Sequence, residues 1–333
     1  MKTLVLGDLH IHNTDTELVR EQIKTVLNIV DKEDPDDIVL LGDVIDKRKP
    51  SPECLLRVRY LFTELEDRGK TTYVLRGNHD SSTKADDGIA ALSLFSSDLT
   101  KIIVHTTKIG NRVYAPHYED DRKIEKLLHS ASKDDLLFGH FGYHGCMDSA
   151  GICDFNINPN IFRCRAILGH IHRFSEKGNI TILGTPYTTN YTESGKKNYY
   201  AIIKEDEEEL EITYHPITQG PRYLVLCYSE LEDNKKLIND DSYFTFLRVL
   251  VDQLSDANTA NLASELLEKY NIERLDIKFK PLIDDPKSIS SYETQRDLFS
   301  INEVIIEDYV DNNTTSLDKE SIMEGYRILR HEN

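Results

Sequence analysis

Seven side chains with metal-binding chemistry recur beside glycines in the first 172 residues. They are Asp8 and His10 in Gly7-Asp8-Leu9-His10, Asp43 in Gly42-Asp43-Val44-Ile45-Asp46, Asn78 in Gly77-Asn78-His79-Asp80, His140 in Gly139-His140, and His170 and His172 in Gly169-His170-Ile171-His172. Carboxylate and amide oxygens mixed with imidazoles suit Mn²⁺, Fe²⁺ or Zn²⁺ better than Mg²⁺, which prefers oxygens and keeps its waters. Seven donors are too many for one tetrahedral ion. They fit two ions about 3.5–4 Å apart that share a bridging carboxylate. Each motif alone has a plainer reading. An Asp or Asn after Gly often makes an Asx turn, and a lone loop His is usually solvated. That default is the reading for His12, His105, His117, His129, His144, His215 and His331. The ordered set is what points to a metal site.

The elements that must carry these donors follow from apolar periodicity. Residues 3–7, 37–41 and 71–75 read as strands. Between them, 15–30 and 52–68 have helical spacing, the first with Leu18, Ile23, Val26, Leu27 and Val30 inward, the second with Leu55, Leu56, Val58 and Leu61 inward. This alternation predicts parallel strands with right-handed crossovers. Asp8, Asp43 and Asn78 then sit at one edge of one sheet, just past strand ends, where α/β proteins place reactive groups. Further strands are expected at 102–104, 112–114, 136–138, 166–168, 181–183, 199–203 and 211–215, so His140 and the His170/His172 pair follow strands of their own. The acidic run Glu205–Glu211 reads as a solvated turn between two strands. The expected first domain is a sandwich of two mixed sheets with helices outside, ending before Gln219-Gly220-Pro221. Strands at 223–228, 244–251 and 273–280 with a helix at 259–270 suggest a small second module. Beyond Pro281 the chain is acidic and polar, with two periodic segments at 297–309 and 317–329. Their apolar stripes fit either self-packing or a partner surface.

Composition narrows the function. With 58 acidic and 40 basic residues and a net charge of −18, the chain is not a nucleic-acid binder that works by bulk positive charge. Bound cations can still make one site positive. Five cysteines without a C-x-x-C pair read as reduced thiols of a cytoplasmic protein. No stretch is long and apolar enough to span a bilayer, and no leader precedes the first strand.

The five blocks, in this order, resemble the calcineurin-like metallophosphoesterase superfamily, whose pattern is D-x-H, G-D-x-x-D, G-N-H-[DE], G-H and G-H-x-H. The resemblance covers about residues 1–217. It implies an α/β fold, a four-layered αββα sandwich, here with a small α+β capping domain and a helical C-terminal tail. The implied domains are 1–218, 219–282 and 283–333. One ion would be held by Asp8, His10, Asp43 and His172, the other by Asp43, Asn78, His140 and His170. Asp43-Val44-Ile45-Asp46 followed by Pro50, Phe138-Gly139-His140-Phe141-Gly142 and Leu183-Gly184-Thr185-Pro186 are similar to the SbcD-type nuclease branch. The closest likeness is to the small subunits of bacteriophage recombination exonucleases. That branch implies a manganese-dependent exo- and endonuclease, with Mg²⁺ as a weaker metal, acting on double-strand DNA ends. It also implies a homodimer and an SbcC-type coiled-coil ATPase partner bound through the tail helices. Some relatives carry a His where this chain has Asp46, so that His's role does not carry over.

With Asn78 available as ligand, His79 is free to stabilise the leaving oxygen or donate a proton. Asp80 either orients His79 or caps the following turn. Lys47, Arg48 and Lys49 are candidates to hold a DNA backbone, as are Arg163, Arg165 and Arg173; Arg57 and Arg59 read as a solvated helix face. Two rival readings share the motifs. One is a phosphatase or phosphodiesterase acting on nucleotides or phosphoproteins, the other a non-catalytic DNA-end-binding scaffold.

Overall fold

The computed structural model describes residues 1–148, 151–153, 155–206, 210–252 and 256–279. Residues 1–282 form one compact unit. The chain opens with β1 (Lys2–Leu6), α1 (Thr16–Glu33), β2 (Asp37–Leu40), α2 (Pro52–Asp67), β3 (Thr71–Leu75) and β4 (Thr100–Ile103). The four strands pair in parallel in sequence order. Asp15 caps α1, its carboxylate accepting from the Leu18 N–H at 3.2 Å. The five apolar residues expected on its inner face are all buried. Ser51 caps α2, with Pro52 in the first turn. Here the phase departs from the expected one: Leu56 is 71% exposed, and the buried stripe is Cys54, Val58, Leu61, Phe62 and Leu65. Cys54 takes the inward place because its thiol packs under the Ile11 carbonyl at 3.7 Å.

Next come β5 (Thr107–Ile109), β6 (Arg112–Ala115), α3 (Asp121–Ser130), β7 (Leu136–Gly139), the hairpin β8 (Met147–Asp148) and β9 (Gly151–Ile152), β10 (Arg165–Leu168), β11 (Ser175–Lys177) and β12 (Ile180–Ile182). Apart from the hairpin, these strands form a second six-stranded sheet in the order β11-β12-β10-β7-β6-β5, parallel from β12 to β6. β13 (Tyr199–Glu205) and β14 (Leu210–Pro216) then return to the first sheet as an antiparallel hairpin beside β1.

Alternation along the strands builds the layers. Leu4 and Leu6 face α1 and α2 with Val26, Ile38 and Leu61. Val5 points the other way, into a core with Val39 and Leu75 of its own sheet and Tyr114, Phe138 and Ile167 of the second. The far face of the second sheet is covered by Ile124 and Leu128 of α3. The fold is therefore an αββα sandwich, as expected.

A smaller sheet follows: β15 (Gly220–Cys227), α4 (Lys235–Ile238), β16 (Tyr243–Val251), α5 (Asp256–Lys269) and β17 (Arg274–Phe279). Its strands are parallel with β16 central, and Leu224, Leu247 and Val249 pack with Leu266 and Tyr270 on one side. β15 is tied to the sandwich: the N–H groups of Tyr223 and Val225 donate to the Thr188 and Ser194 hydroxyls at 2.7 and 2.9 Å. The segments expected at 297–309 and 317–329 lie outside the described residues.

Candidate metal centre

All five motifs follow strand C-termini and meet at one end of the sandwich. Asp8 and His10 follow β1, Asp43 follows β2, Asn78 and His79 follow β3, His140 follows β7, and His170 and His172 follow β10. Three of these residues hold left-handed backbone, His10 at φ +43°, Asp43 at +44° and His170 at +78°. Non-glycine residues rarely adopt this region, and where they do the surroundings must hold them there. The loops after β1 and β2 do so by pairing, with the N–H groups of His10 and Ile11 bonded to the carbonyls of Asp43 and Val44 at 2.8 Å. Gly77 is required by close approach, since a Cβ there would lie 2.0 Å from Asp43 Oδ1.

The side chains converge on two points that share Asp43. His10, Asp43 and His79 bring one ligand atom each within 4.8 Å of one another, and so do Asp43, His140 and His170. In the second group Asn78 Oδ1 lies 3.1 Å from His140 Nε2 and 2.9 Å from His170 Nδ1. His140 Nδ1 donates to the Leu41 carbonyl at 2.8 Å, which leaves Nε2 facing Asp43 Oδ2 at 3.4 Å. In the first group His10 Nε2 and His172 Nε2 stand 3.0 Å apart. His172 Nδ1 donates to Glu193 at 2.6 Å, so its Nε2 lone pair points at His10. Asp8 is fully buried, accepts from the His170 N–H at 2.9 Å and lies 3.3 Å from His140 Nδ1.

The electrostatics are those of a site short of positive charge. Burial opposes charging His140, yet the carboxylates of Asp43 and Asp8 outweigh it and hold its pKa up at about 9. Burial drives Asp8 upward, with Asp43 adding to it. Burial and the neighbouring imidazoles of His172 and His79 push His10 down to about 3 despite Asp43. His10 Nε2 against His172 Nε2 at 3.0 Å and His140 Nε2 against Asp43 Oδ2 at 3.4 Å, with the other ring nitrogens of His140 and His172 turned to Leu41 and Glu193, are donor atoms that a divalent transition-metal ion would draw together in place of the proton His140 otherwise holds. The residues present therefore fit a pair of such ions.

His79, expected to lie outside the ligand set, stands in the first donor group with His10 and Asp43 and is separately anchored. Its Nδ1 is 2.6 Å from the Asp46 carbonyl, its N–H donates to Asp43 Oδ1 at 2.7 Å, and its ring stands edge-on to His10 with centroids 4.9 Å apart. The Asp80 carboxylate makes neither of the contacts expected of it: it accepts from Gly77 N–H at 2.8 Å and Ile45 N–H at 3.0 Å, tying the loop after β3 to the loop after β2. Burial and the nearby Asp43 raise its pKa to about 7. The group on His79 is the Asp46 carbonyl instead, a main-chain role for Asp46.

The basic candidates divide. Lys47 and Lys49 are exposed near the site. The Arg48 guanidinium bonds the Thr83 carbonyl at 2.8 Å and Glu119 at 3.4 Å, bridging two loops. Arg165 begins β10, a strand's length from the donors that follow its end. Two residues near the donors have no motif. Glu193, 2% exposed, sits in the 3₁₀ turn Tyr191–Glu193 and fixes His172; burial opposes its charge, but His172 and Lys196 hold its pKa down at about 2. His117 packs against the His170 and His140 rings at 5.5 and 6.0 Å, and burial with His140 lowers its pKa to about 4. Glu193 could be sought in sequence only as a carboxylate near a ligand His, and His117 carries no such signal.

Sheets, strand-end donors and paired ligand groups together define a metallophosphoesterase. Residues 1–174 match the calcineurin-like phosphoesterase family, and the chain belongs to it. This family works with a dinuclear metal centre. The chain is 22% identical over 289 residues to "Putative phosphoesterase 078R" of Invertebrate iridescent virus 3, spanning 81% of this chain and 82% of that protein. It is 25% identical over 223 residues to "Exonuclease subunit 1" of Enterobacteria phage T4, spanning 62% of this chain and 66% of that protein. Among solved structures it is similar to an archaeal phosphodiesterase at TM-score 0.34 and 12% identity, over 65% of this chain and all of that one. The Pseudomonas putida nuclease MPE gives TM-score 0.32 and 13% identity, over 63% of this chain and 87% of that one. No helix among the described residues is long and apolar enough to cross a membrane.

Proposed function

We propose that the chain is the nuclease subunit of a DNA-end-processing complex, hydrolysing phosphodiesters with two manganese ions. The observation that carries the reading is the pair of donor groups sharing Asp43. The nuclease branch is favoured by the residues flanking Asp43, His140 and Gly184, and by the likeness to a phage exonuclease subunit.

In this reading Asp43 would belong to both ligand sets, with Asp8, His10 and His172 holding one ion and Asn78, His140 and His170 the other. Bound divalent ions supply Lewis acidity and lower the pKa of a coordinated water. The chain's own residues do the rest. His79, its Nδ1 held by the Asp46 carbonyl, presents Nε2 to the leaving oxygen and donates a proton to it. Asp80 keeps the two loops in register, and Glu193 keeps His172 in the tautomer that frees Nε2. Lys47 and Lys49 meet the DNA backbone, and the small sheet caps the duplex. The chain works as a dimer in the cytoplasm with an SbcC-type ATPase bound through residues 283–333.

The test is digestion of end-labelled linear duplex beside a small chromogenic diester, each with manganese or chelator. Cleavage of both, abolished by chelator, is expected. Hydrolysis of the diester alone would replace the nuclease with a nucleotide or phosphoprotein phosphoesterase. Activity on neither would leave a scaffold.

A further inference from the structure

Away from the donor cluster, a cavity of about 510 Å³ lies between the sandwich and the small sheet. Its lining includes Lys196, Lys197 and Arg222 and the residues Tyr187, Tyr223 and Tyr243, and none of the lining residues is a carboxylate. In a chain with 58 acidic and 40 basic residues, a wall of cations without acids is the opposite of the average surface.

The cations differ in what they have left to give. The Lys196 ammonium is fully engaged, bonded to the His172 carbonyl at 2.8 Å, the Thr185 hydroxyl at 2.6 Å and Glu193 at 2.9 Å. Arg222 is not. Its Nη2 donates to the Leu237 carbonyl at 2.6 Å and the Thr245 hydroxyl at 2.9 Å, and its plane lies 4.0 Å from the Tyr243 ring centre. Its Nε is buried without a hydrogen-bond partner, on a residue only 8% exposed. Asp240 acts on it only through space. A buried guanidinium N–H left unsatisfied costs free energy that an incoming acceptor recovers. Lys197 is exposed at the rim. Guanidinium and ammonium together suit a phosphate. Tyr187 is 2% exposed and Tyr223 is stacked on Phe246 at 4.6 Å, so half-buried Tyr243 is the tyrosine left to meet a planar ring. The volume lies within the range of small-ligand pockets, about 300–1,000 Å³.

We propose that this cavity is a mononucleotide-binding site distinct from the metal centre, with the phosphate between Arg222 and Lys197 and the base against Tyr243. The choice of a nucleotide over other ring-bearing anions rests on the nuclease reading, since nucleotides are what an exonuclease releases.

The test is binding of deoxyadenosine 5′-monophosphate to the full chain in EDTA, read by calorimetry and by tyrosine fluorescence, which no Trp obscures. Chelator removes metal-dependent binding at the donor cluster, so the result does not depend on whether the chain is a nuclease. One saturable site is expected, weakened at least tenfold by Lys197→Glu and by Arg222→Gln. Lys197→Glu changes an exposed side chain, so it should fold and cleave diester like the parent. Absence of saturable binding would overturn the proposal. So would binding that neither substitution weakens, or inorganic phosphate binding as tightly as the nucleotide.

Discussion

The two ends of the sandwich bury charge in opposite ways. At the N-terminal ends of the strands, Arg112 of β6 reaches across to Asp37 of β2 at 3.0 Å, Thr3 of β1 at 2.9 Å and Glu205 of β13 at 3.0 Å. Lys2 there meets Glu33 at 3.1 Å, and Tyr200 meets the same carboxylate at 2.6 Å. Cations answer carboxylates, and the sheets are latched together. At the C-terminal ends, Asp8 and Asp43 are buried among five imidazoles with no Lys or Arg bonded to either carboxylate among the described residues. Buried charge is tolerated where it is paired or metal-bound. One end balances its carboxylates with its own cations, whereas the other is built to be balanced by added ones.

Exchanges at each end sharpen that contrast. The largest effect is expected from Asp43→Asn, which weakens the shared ligand. Diester hydrolysis should fall by at least about 10³-fold, the scale of losing a principal electrostatic element, while circular dichroism stays unchanged. His79→Ala should retain metal by mass spectrometry and lose about 10²–10⁴-fold in turnover, the contribution of a positioned proton donor. At the latched end, Arg112→Met should leave turnover per folded molecule alone. It should cost about 3–5 kcal/mol in urea unfolding, because Asp37 is then buried unpaired. Glu193→Gln should lower metal affinity or activity by about 10–100-fold, as loss of a carboxylate behind a ligand His does.

The smallest effect concerns acid stability. Burial opposes the charge of Glu33, but Tyr200 and Lys2 outweigh it and hold its pKa at about 2, below its usual 4.5. A depressed carboxylate stabilises the fold above its unfolded pKa, and that contribution fades as pH falls toward the folded one. Glu33→Gln should therefore flatten the loss of stability between pH 4.5 and 2, measured by thermal melts across that window.

The contrast also explains what could be read from sequence. The open end was legible because each donor follows a short apolar strand and a glycine, and both signals are local. Strand, helix and layer order followed from the same periodicity. The latch was not legible: Arg112, Asp37 and Glu205 are joined only by sheet pairing across long separations. Glu193 was hidden for a related reason, since it meets His172 through a turn that periodicity does not describe. Leu56 was misplaced because apolar neighbours at 55 and 56 masked Cys54, which a hydrophobic count undervalues. α3 escaped notice because only Ile124 and Leu128 of its ten residues are buried.

The central claim is that the open end takes two cations around Asp43. Crystals of the wild-type chain and of Asp43→Asn, each soaked in manganese and measured at the manganese edge, test it most directly. The account predicts two anomalous peaks about 3.5–4 Å apart, flanking the Asp43 carboxylate, with at least one lost in the variant. A single peak, or two that persist unchanged without that carboxylate, would contradict it.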